Sequence, residues 1–180
     1  MSTQTPSLFE TLAALSKATY PLAIANPNDL VEVHADDDQL IRYEVKEGAP
    51  TTELMIRPLS PLELEEADKI LAAAGAPPVI MKTNPDGSKI PAGRDEEDPI
   101  FRAALEPLLR KRQVFIVLKG CPQLHDSAPG STIEEKITHT MKELPDVLLK
   151  FIGSRVFKFS FPAGDLSDFF STRKSEETQS

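Results

Sequence analysis

Apolar residues recur at helical spacing in five stretches of the chain. The first, residues 7–19, carries leucines at spacings of four and three and predicts a short amphipathic helix that ends near Pro21. The second begins after Ser60, where Pro61 suits the first helical position and Glu63 completes a Ser-x-x-Glu capping box. Its apolar stripe is Leu64, Ala67, Leu71 and Ala74, and Gly75 ends it. The remaining stretches start after Asp98, Ser131 and Pro145.

The helix after Asp98 contains a proline. Pro107 removes one backbone hydrogen bond, so the pattern predicts that this helix kinks at Pro107 or restarts there before continuing through VFIVL. The next start is predicted as a second capping box, from Ser131 to Glu134. The final stretch is predicted as a long helix whose end the sequence leaves open, because its last phenylalanines alternate as in a strand.

Strand patterns occupy the chain before Ser60. The segments LVEVH and QLIRYEVK flank ADDD and predict a β-hairpin, and TELMIRPL predicts a third strand. Residues 76–97 are rich in proline, glycine, aspartate and lysine and predict an exposed loop, with a tight turn at Asn84–Gly87.

These elements predict an α+β protein that is mostly α-helical with an N-terminal antiparallel β-hairpin or small sheet. Residues 1–29 are expected to form an arm with a short helix, and residues 30–160 a single domain. Within that domain, residues 30–58 hold the hairpin region and residues 60–160 the helical region. Residues 161–180 are polar and are expected to form a flexible tail.

Charge and composition exclude several classes of function. The formal net charge of -8 argues against a protein devoted to holding nucleic acid, which requires a basic face. No apolar run approaches the roughly 18 residues of a membrane span, and the N-terminus lacks the basic region of a secretory signal. With Cys121 as the only cysteine, no intramolecular disulfide can form. The sequence thus predicts a cytosolic protein without membrane or nucleic-acid partners.

Candidate chemistry is sparse. The three histidines lack the spacing of a zinc site, Asp36–Asp38 is typical of a hydrated turn, and no phosphate-binding loop is present. We therefore predict no metal site, no cofactor and no catalytic residue. Cys121 with His125 and Asp126 keeps open a small cysteine-dependent enzyme, although a buried structural cysteine is the simpler interpretation. The cations of Arg110–Arg112 are interpreted as a solvated helix face that pairs with acids such as Glu106.

Two apolar groups are candidates for binding a protein partner. One is a stripe on the helix after Asp98, formed by Phe101, Leu105 and Leu108, which must face this protein's own core or a partner. The other is the pair Phe169 and Phe170, whose polar surroundings make contact with a partner plausible.

The order of these motifs resembles the tail assembly chaperone family of long-tailed bacteriophages. The similarity spans about Arg57 to Phe151. Matches to a pattern R-x-L-[ST]-x-x-E are Arg57, Leu59, Ser60 and Glu63, and matches to D-P-x-[FY]-x-x-A with a following arginine are Asp98, Pro99, Phe101, Ala104 and Arg110. The acidic, proline-rich segment before Asp98 and the proline at 107 depart from the family pattern.

The resemblance implies a non-enzymatic protein of the host cytoplasm. Such a protein binds the tape-measure protein and recruits major tail protein subunits during tail-tube assembly. The alternatives are a structural head–tail connector or minor tail protein, or the cysteine-dependent enzyme. The sequence leaves homo-oligomerisation and a frameshifted longer form open.

Overall fold

A computed structural model describes residues 18–34 and 40–160, with the backbone alone at residues 40 and 41. Within these ranges the chain is an α+β protein with five α-helices and three two-stranded antiparallel sheets, which confirms the predicted fold class. The predicted helix over residues 7–19 falls almost wholly outside these ranges, as do the turn at Asp36–Asp38 and the tail from residue 161.

Four strands precede the helices: β1 (Tyr20–Ala25), β2 (Leu30–His34), β3 (Leu40–Val45) and β4 (Thr51–Ile56). Strands β2 and β3 form the predicted hairpin. The predicted third strand is also present, but it pairs with β1, a strand that the sequence pattern does not predict. Tyr20 lies opposite Ile56 at one end of that pair. The β2–β3 hairpin is therefore inserted between two strands that pair with each other.

The helices are α1 (Pro61–Ala72), α2 (Pro99–Gly120), α3 (Pro122–Ser127), α4 (Ile133–Glu143) and α5 (Asp146–Ser160). The capping box of α1 is confirmed: Ser60 Oγ accepts a bond from the Glu63 amide, and the Glu63 carboxylate accepts one from the Ser60 amide. The short helix α3 is not predicted by the sequence. The last helix extends to Ser160, so Phe157 and Phe159 are helical.

The start of α4 differs from the prediction by one residue. Thr132, not Ser131, is the N-cap, and its partner in the capping box is Glu135 rather than Glu134. Thr132 has the extended backbone of a cap, and its Oγ1 accepts a hydrogen bond from the Glu135 amide at 3.2 Å. Ser131 instead donates its amide and hydroxyl to the same Glu135 carboxylate.

Helix α2 runs without interruption through Pro107, so the predicted restart is wrong. Its two halves differ in burial. Val114 to Leu118 are five consecutive buried residues, which means that this half is covered on all sides. Before Pro107, every residue of α2 is exposed or half-buried. The first half of α2 therefore lies outside the core that surrounds the second half.

The core contains buried residues of all four N-terminal strands and of α1, α2, α4 and α5, and within it α2 packs against α1, α4 and α5. The Arg57 amide donates to the Gly120 carbonyl at 2.8 Å and fixes the end of β4 against the end of α2. Gly120 lies so close to α5 that a Cβ there would be 2.3 Å from Cγ1 of Val156. This contact brings the C-terminal end of α2 directly against α5.

The segment expected to be an exposed loop contains two strands, β5 (Val79–Thr83) and β6 (Lys89–Arg94). They pair antiparallel with each other around the turn at Asn84–Gly87. The predicted turn is confirmed, since the Gly87 amide donates to the Asn84 carbonyl at 2.9 Å and Gly87 has a φ of 81°. The expectation of exposure holds for both strands, but the segment is a β-hairpin and not the loop that the sequence predicts.

Candidate functional site

Residues 79–94 form an exposed hairpin that stands away from the core. Every residue of β5 and β6 is exposed, and neither strand contributes a side chain to the core. The Asp95 amide donates to the Pro78 carbonyl at 2.8 Å and closes the base of the hairpin, four residues before α2 begins. An isolated two-stranded hairpin is marginally stable in water, so this element is suited to gaining stability from a partner.

The hairpin carries four apolar side chains that are 44–50% exposed: Val79, Ile80, Met81 and Ile90. The strand register places Lys82 opposite Ile90 and Met81 opposite Pro91, with a register shift between Ile80 and Met81. Because alternate residues of a strand share a face, Ile80 and Ile90 lie on one face and Val79 and Met81 on the other. The hairpin thus offers apolar contacts on both sides.

Helix α2 extends this apolar region beyond the hairpin. Asp98 caps the helix, with Oδ1 accepting the amides of Ile100 at 3.0 Å and Phe101 at 2.8 Å. The cap holds Ile100 in the first turn, where its side chain is 82% exposed. Leu109, two and a half turns further on and so on the opposite side of the helix from Ile100, is 47% exposed. Of the ten exposed large hydrophobic residues in the described part of the chain, six therefore lie between 79 and 109.

The predicted stripe of Phe101, Leu105 and Leu108 lies on the same half of α2. All three side chains are half-buried, and none belongs to the set that packs on the core. The exposed side chains of Ile100 and Leu109 lie on the same half of α2. The other predicted pair, Phe169 and Phe170, lies outside the described residues.

The sequence around residues 79–94 contains a pattern that indicates the exposed hairpin. The turn NPDG is flanked by VIMKT and SKI, a run of β-favouring residues on each side of a turn, which is the pattern of a hairpin. Pro91 and Gly93 obscure it, because both residue types are depleted in strands.

Charge sets the hairpin apart from the rest of the chain. Residues 79–94 contain three cations, Lys82, Lys89 and Arg94, and one anion, Asp86. The Asp86 carboxylate accepts the amide and hydroxyl of Ser88, which lowers the pKa of Asp86. The hairpin is thus weakly basic in a chain with a net charge of -8.

The cations of Arg110–Arg112 are held by acids of three other helices. Arg110 pairs with Asp146 at 2.8 Å, Lys111 with Glu134 at 2.7 Å, and Arg112 with Asp68 at 2.9 Å. They are paired as expected, but with these carboxylates and not with Glu106. A phosphate would have to displace each carboxylate, so this cluster functions as a link between helices.

Arg110 also borders an open cavity of about 660 Å³ between α2, α4 and α5. Its guanidinium donates to the Met141 carbonyl, and Gln113 on the same side donates to the Leu149 carbonyl. These polar groups are used within the protein. Both side chains therefore link α2 to the backbone of α4 and α5 across the cavity.

The thiol of Cys121 is fully buried at the junction of α2 and α3. Burial raises its pKa to about 12, although the positive charge of Arg57 lowers it in part. His125 is hydrogen-bonded to Asp126, with Nδ1 and Oδ1 3.2 Å apart. Burial thus disfavours the thiolate, which is the reactive form of a cysteine nucleophile.

Over residues 18–34 and 40–160, no group of three histidine, cysteine, aspartate or glutamate side chains is arranged to hold a metal ion. None of the helices in these ranges has the length and apolar character needed to cross a membrane. Comparison with family models, with curated proteins and with solved structures found no match.

Proposed function

We propose that this protein is a phage tail assembly chaperone of the host cytoplasm. In this proposal it acts without catalysis, binds the tape-measure protein and recruits major tail protein subunits as the tail tube assembles. The observation that carries the proposal is the apolar surface of the exposed hairpin and the adjoining start of α2, which we call the hairpin surface. The resemblance of residues 57–151 to the chaperone family supplies the identity of the client.

The hairpin surface suits a helical client. A long helical protein exposes apolar stripes until it is packed into the tail, and water contact along those stripes favours aggregation. Transfer of such a stripe onto apolar side chains is favourable by about 25 cal/mol per Å² buried. Either face of the hairpin, with Ile80 and Ile90 on one side or Val79 and Met81 on the other, can cover part of such a stripe.

The charge of the chain supports the same function. The net charge of -8 gives the complex a repulsive surface that keeps it in solution. The hairpin surface itself is weakly basic, so a client stripe flanked by acidic residues would be favoured there.

The test is co-expression with the tape-measure protein encoded by the same genome. We expect the intact chaperone to raise the soluble fraction of the tape-measure protein and to co-elute with it. The variant Ile80→Ser/Ile90→Ser should lose both effects. A matched control, Val31→Ser/Leu62→Ser, changes two side chains that are 43% and 62% exposed on other elements and should keep both. If the intact chain neither solubilises nor co-elutes with the client, the proposal is wrong.

A structural connector or minor tail protein is the second candidate, because an exposed apolar hairpin also suits contact between subunits of a ring. Mass determination in solution separates the two. A closed oligomer of fixed size across a wide concentration range supports the connector. A monomer, or an oligomer that dissociates on dilution, supports the chaperone.

A further inference from the structure

The open cavity between α2, α4 and α5 has an apolar lining that nothing in the described part of the chain covers. Its volume is about 660 Å³, within the range of about 300–1,000 Å³ that is usual for pockets that bind small organic groups. The lining includes Leu109, which is 47% exposed, and Leu149, which forms part of the core. An apolar group that covered this lining would be stabilised by leaving water.

The rim of the cavity carries more cations than acids. Arg110, Arg112 and Lys150 line it together with the acids Glu106 and Asp146. Arg110 is paired with Asp146, whereas Lys150 and Glu106 form no ion pair with any residue in the described part of the chain. The lining thus has a positive excess in a chain with a net charge of -8. It suits an apolar group that is flanked by carboxylates.

The cavity lies beside the helix from which the C-terminal segment departs. Lys150 borders the cavity, and Ser160 is the last residue of α5, so the two are about 15 Å apart along the helix axis. Arg112 connects the two places, because it lines the cavity and its guanidinium lies 5.7 Å from the ring centroid of Phe157. A spacing of seven residues puts Phe157 on the same side of α5 as Lys150. The residues after Ser160 therefore begin near the side of α5 on which the cavity lies.

Residues 165–170, which lie outside the described residues, have the composition that this cavity requires. Their sequence, DLSDFF, combines three large apolar residues with two aspartates and contains no cation. Phe169 is nine residues after Ser160, and nine extended residues span about 30 Å. That reach is about twice the distance back to Lys150. The chain therefore has room to reverse its direction, and Gly164 is a residue type that favours a turn.

We propose that residues 165–170 bind in the cavity of the same chain. The two phenylalanines of this segment contact the apolar lining, and Asp168 lies near Lys150. Removal of two aromatic rings from water favours the bound state. Because the segment is tethered to α5, its effective concentration at the cavity is on the order of millimolar, which a separate partner rarely reaches. The cavity is thus closed by the protein itself, and a partner that used it would have to displace this segment.

The first test measures the methionine methyl resonances of the full chain by NMR. Met141 lines the cavity, whereas Met55 and Met81 lie in β4 and β5 and serve as internal references. An aromatic ring that contacts a methyl group shifts its resonance through the ring current. We expect the Met141 resonance to move in the variant Phe169→Leu/Phe170→Leu, and the resonances of Met55 and Met81 to stay where they are.

A matched control changes the C-terminal segment outside residues 165–170. Arg173→Gln/Lys174→Gln removes two charges beyond the phenylalanines and should leave the Met141 resonance in place. Movement of the reference resonances together with that of Met141 would show a general change in the protein and would overturn the proposal.

The second test traps the contact with a disulfide in the full chain. Leu109→Cys/Phe169→Cys places one thiol at the cavity and one in the segment, while the native thiol of Cys121 is buried. The matched control, Leu62→Cys/Phe169→Cys, moves the first thiol to α1, where Leu62 is 62% exposed. Under mild oxidation we expect the cavity pair to form its disulfide at least about tenfold faster than the control pair. Mass spectrometry of mixed unlabelled and isotopically labelled chains shows whether a disulfide joins one chain or two.

The outcomes of the two tests decide the proposal. A shift confined to Met141 together with a fast disulfide within one chain supports it. An unchanged Met141 resonance overturns it, and so do equal disulfide rates at the two positions. A fast disulfide that joins two chains also overturns it and assigns the cavity to a second copy of the protein. Neither test involves a client, so failure here leaves the proposed function standing, and failure of the co-expression test leaves this inference standing.

Discussion

The guanidinium of Arg57 makes two hydrogen bonds to the carboxylate of Glu63, with Nη2 2.6 Å from Oε1 and Nη1 3.0 Å from Oε2. The same carboxylate accepts the amide of Ser60 at 2.9 Å and its hydroxyl at 3.0 Å. One side chain thus completes both an ion pair and a capping box, and it fixes the end of β4 to the start of α1. Burial alone would raise the pKa of Glu63, but the bonds from Arg57 and Ser60 outweigh burial and hold it at about 2, against 4.5.

This pair predicts a defined dependence of stability on pH. Because the pKa of Glu63 is lower in the folded protein than in the unfolded chain, its contribution is present above pH 4.5 and is lost as the pH falls towards 2. The side chains of Arg57 and Glu63 are 25% and 16% exposed, so we expect a contribution on the order of 2 kcal/mol after allowing for solvent screening. Urea unfolding of the intact protein and of Glu63→Gln should show that difference at pH 7 and only about a quarter of it at pH 2.5.

The control for this measurement is Glu65→Gln in the same helix. Glu65 pairs with Lys69 at 2.8 Å, but both side chains are more than 60% exposed. Its loss should leave the unfolding midpoint nearly unchanged at either pH. A gap between wild type and Glu63→Gln that stayed constant from pH 7 to pH 2.5 would contradict the assignment.

The contact between Gly120 and Val156 predicts that Gly120→Ala destabilises the protein. A methyl group at 120 would lie 2.3 Å from Cγ1 and 2.6 Å from Cγ2 of a fully buried valine. In a helix alanine is normally preferred to glycine, but overpacking of this kind costs about 1–3 kcal/mol. Thermal denaturation followed by circular dichroism should show a lower melting temperature for Gly120→Ala.

A double-mutant cycle separates this clash from a general effect of the substitution. Val156→Ala alone creates a cavity and should also destabilise the protein. Combined with Gly120→Ala, the smaller side chain accepts the new methyl group, so the loss for the double variant should be less than the sum of the two. Strict additivity would show that the two residues do not restrict each other.

The buried thiol predicts slow alkylation. At pH 8 a thiol with a pKa of about 12 is almost entirely protonated, and Cys121 is also inaccessible. In the variant Ser127→Cys, an exposed thiol is present in the same molecule as an internal reference. Iodoacetamide should modify position 127 at least about a hundredfold faster than Cys121, as measured by peptide mass spectrometry. Comparable rates at the two sites would restore the cysteine-dependent alternative.

The turn at Gly87 allows the hairpin to be disrupted without disturbing the core. Gly87 has a φ of 81°, and a β-branched residue with this backbone costs about 1–3 kcal/mol. We expect Gly87→Val to increase amide hydrogen exchange across residues 79–94 while the melting temperature of the protein is unchanged. Thr83→Val places the same side chain on an exposed strand position and should leave exchange as it is. A parallel fall in melting temperature would show that the hairpin is part of the cooperative core.

The elements that the sequence predicts well are those determined by nearby residues. The capping box at Ser60 and the β2–β3 hairpin depend on contacts within a few residues, and both are confirmed. Strand β1 is different, because its partner Thr51–Ile56 lies some thirty residues further along the chain. Pro21 is the second residue of β1, although the sequence pattern treats it as the end of a helix. Because the two strands pair at this distance, the residues around β1 contain no pattern that identifies its partner.

The candidate site shows the same division. The apolar stripe of Phe101, Leu105 and Leu108 follows from helical spacing, and the structure places it on the half of α2 that lies outside the core. The rings of Tyr20 and Phe159 stack across 139 positions of sequence, and neither residue is distinguished by its neighbours in the chain. The stack exists only because α5 returns to the edge of the β1–β4 sheet.

The shift in strand register beside Met81 has a consequence for the behaviour of this protein at high concentration. An exposed strand with apolar side chains is a template on which further copies can add, as in amyloid. Here the shift falls between Ile80 and Met81, and opposite Met81 lies Pro91, which has no amide hydrogen to extend a ladder. Lys82 and Lys89 add like charge to any stack of hairpins. The protein can therefore expose the apolar hairpin at high concentration, while the register shift, Pro91 and the lysines oppose the stacking of hairpins into a fibre.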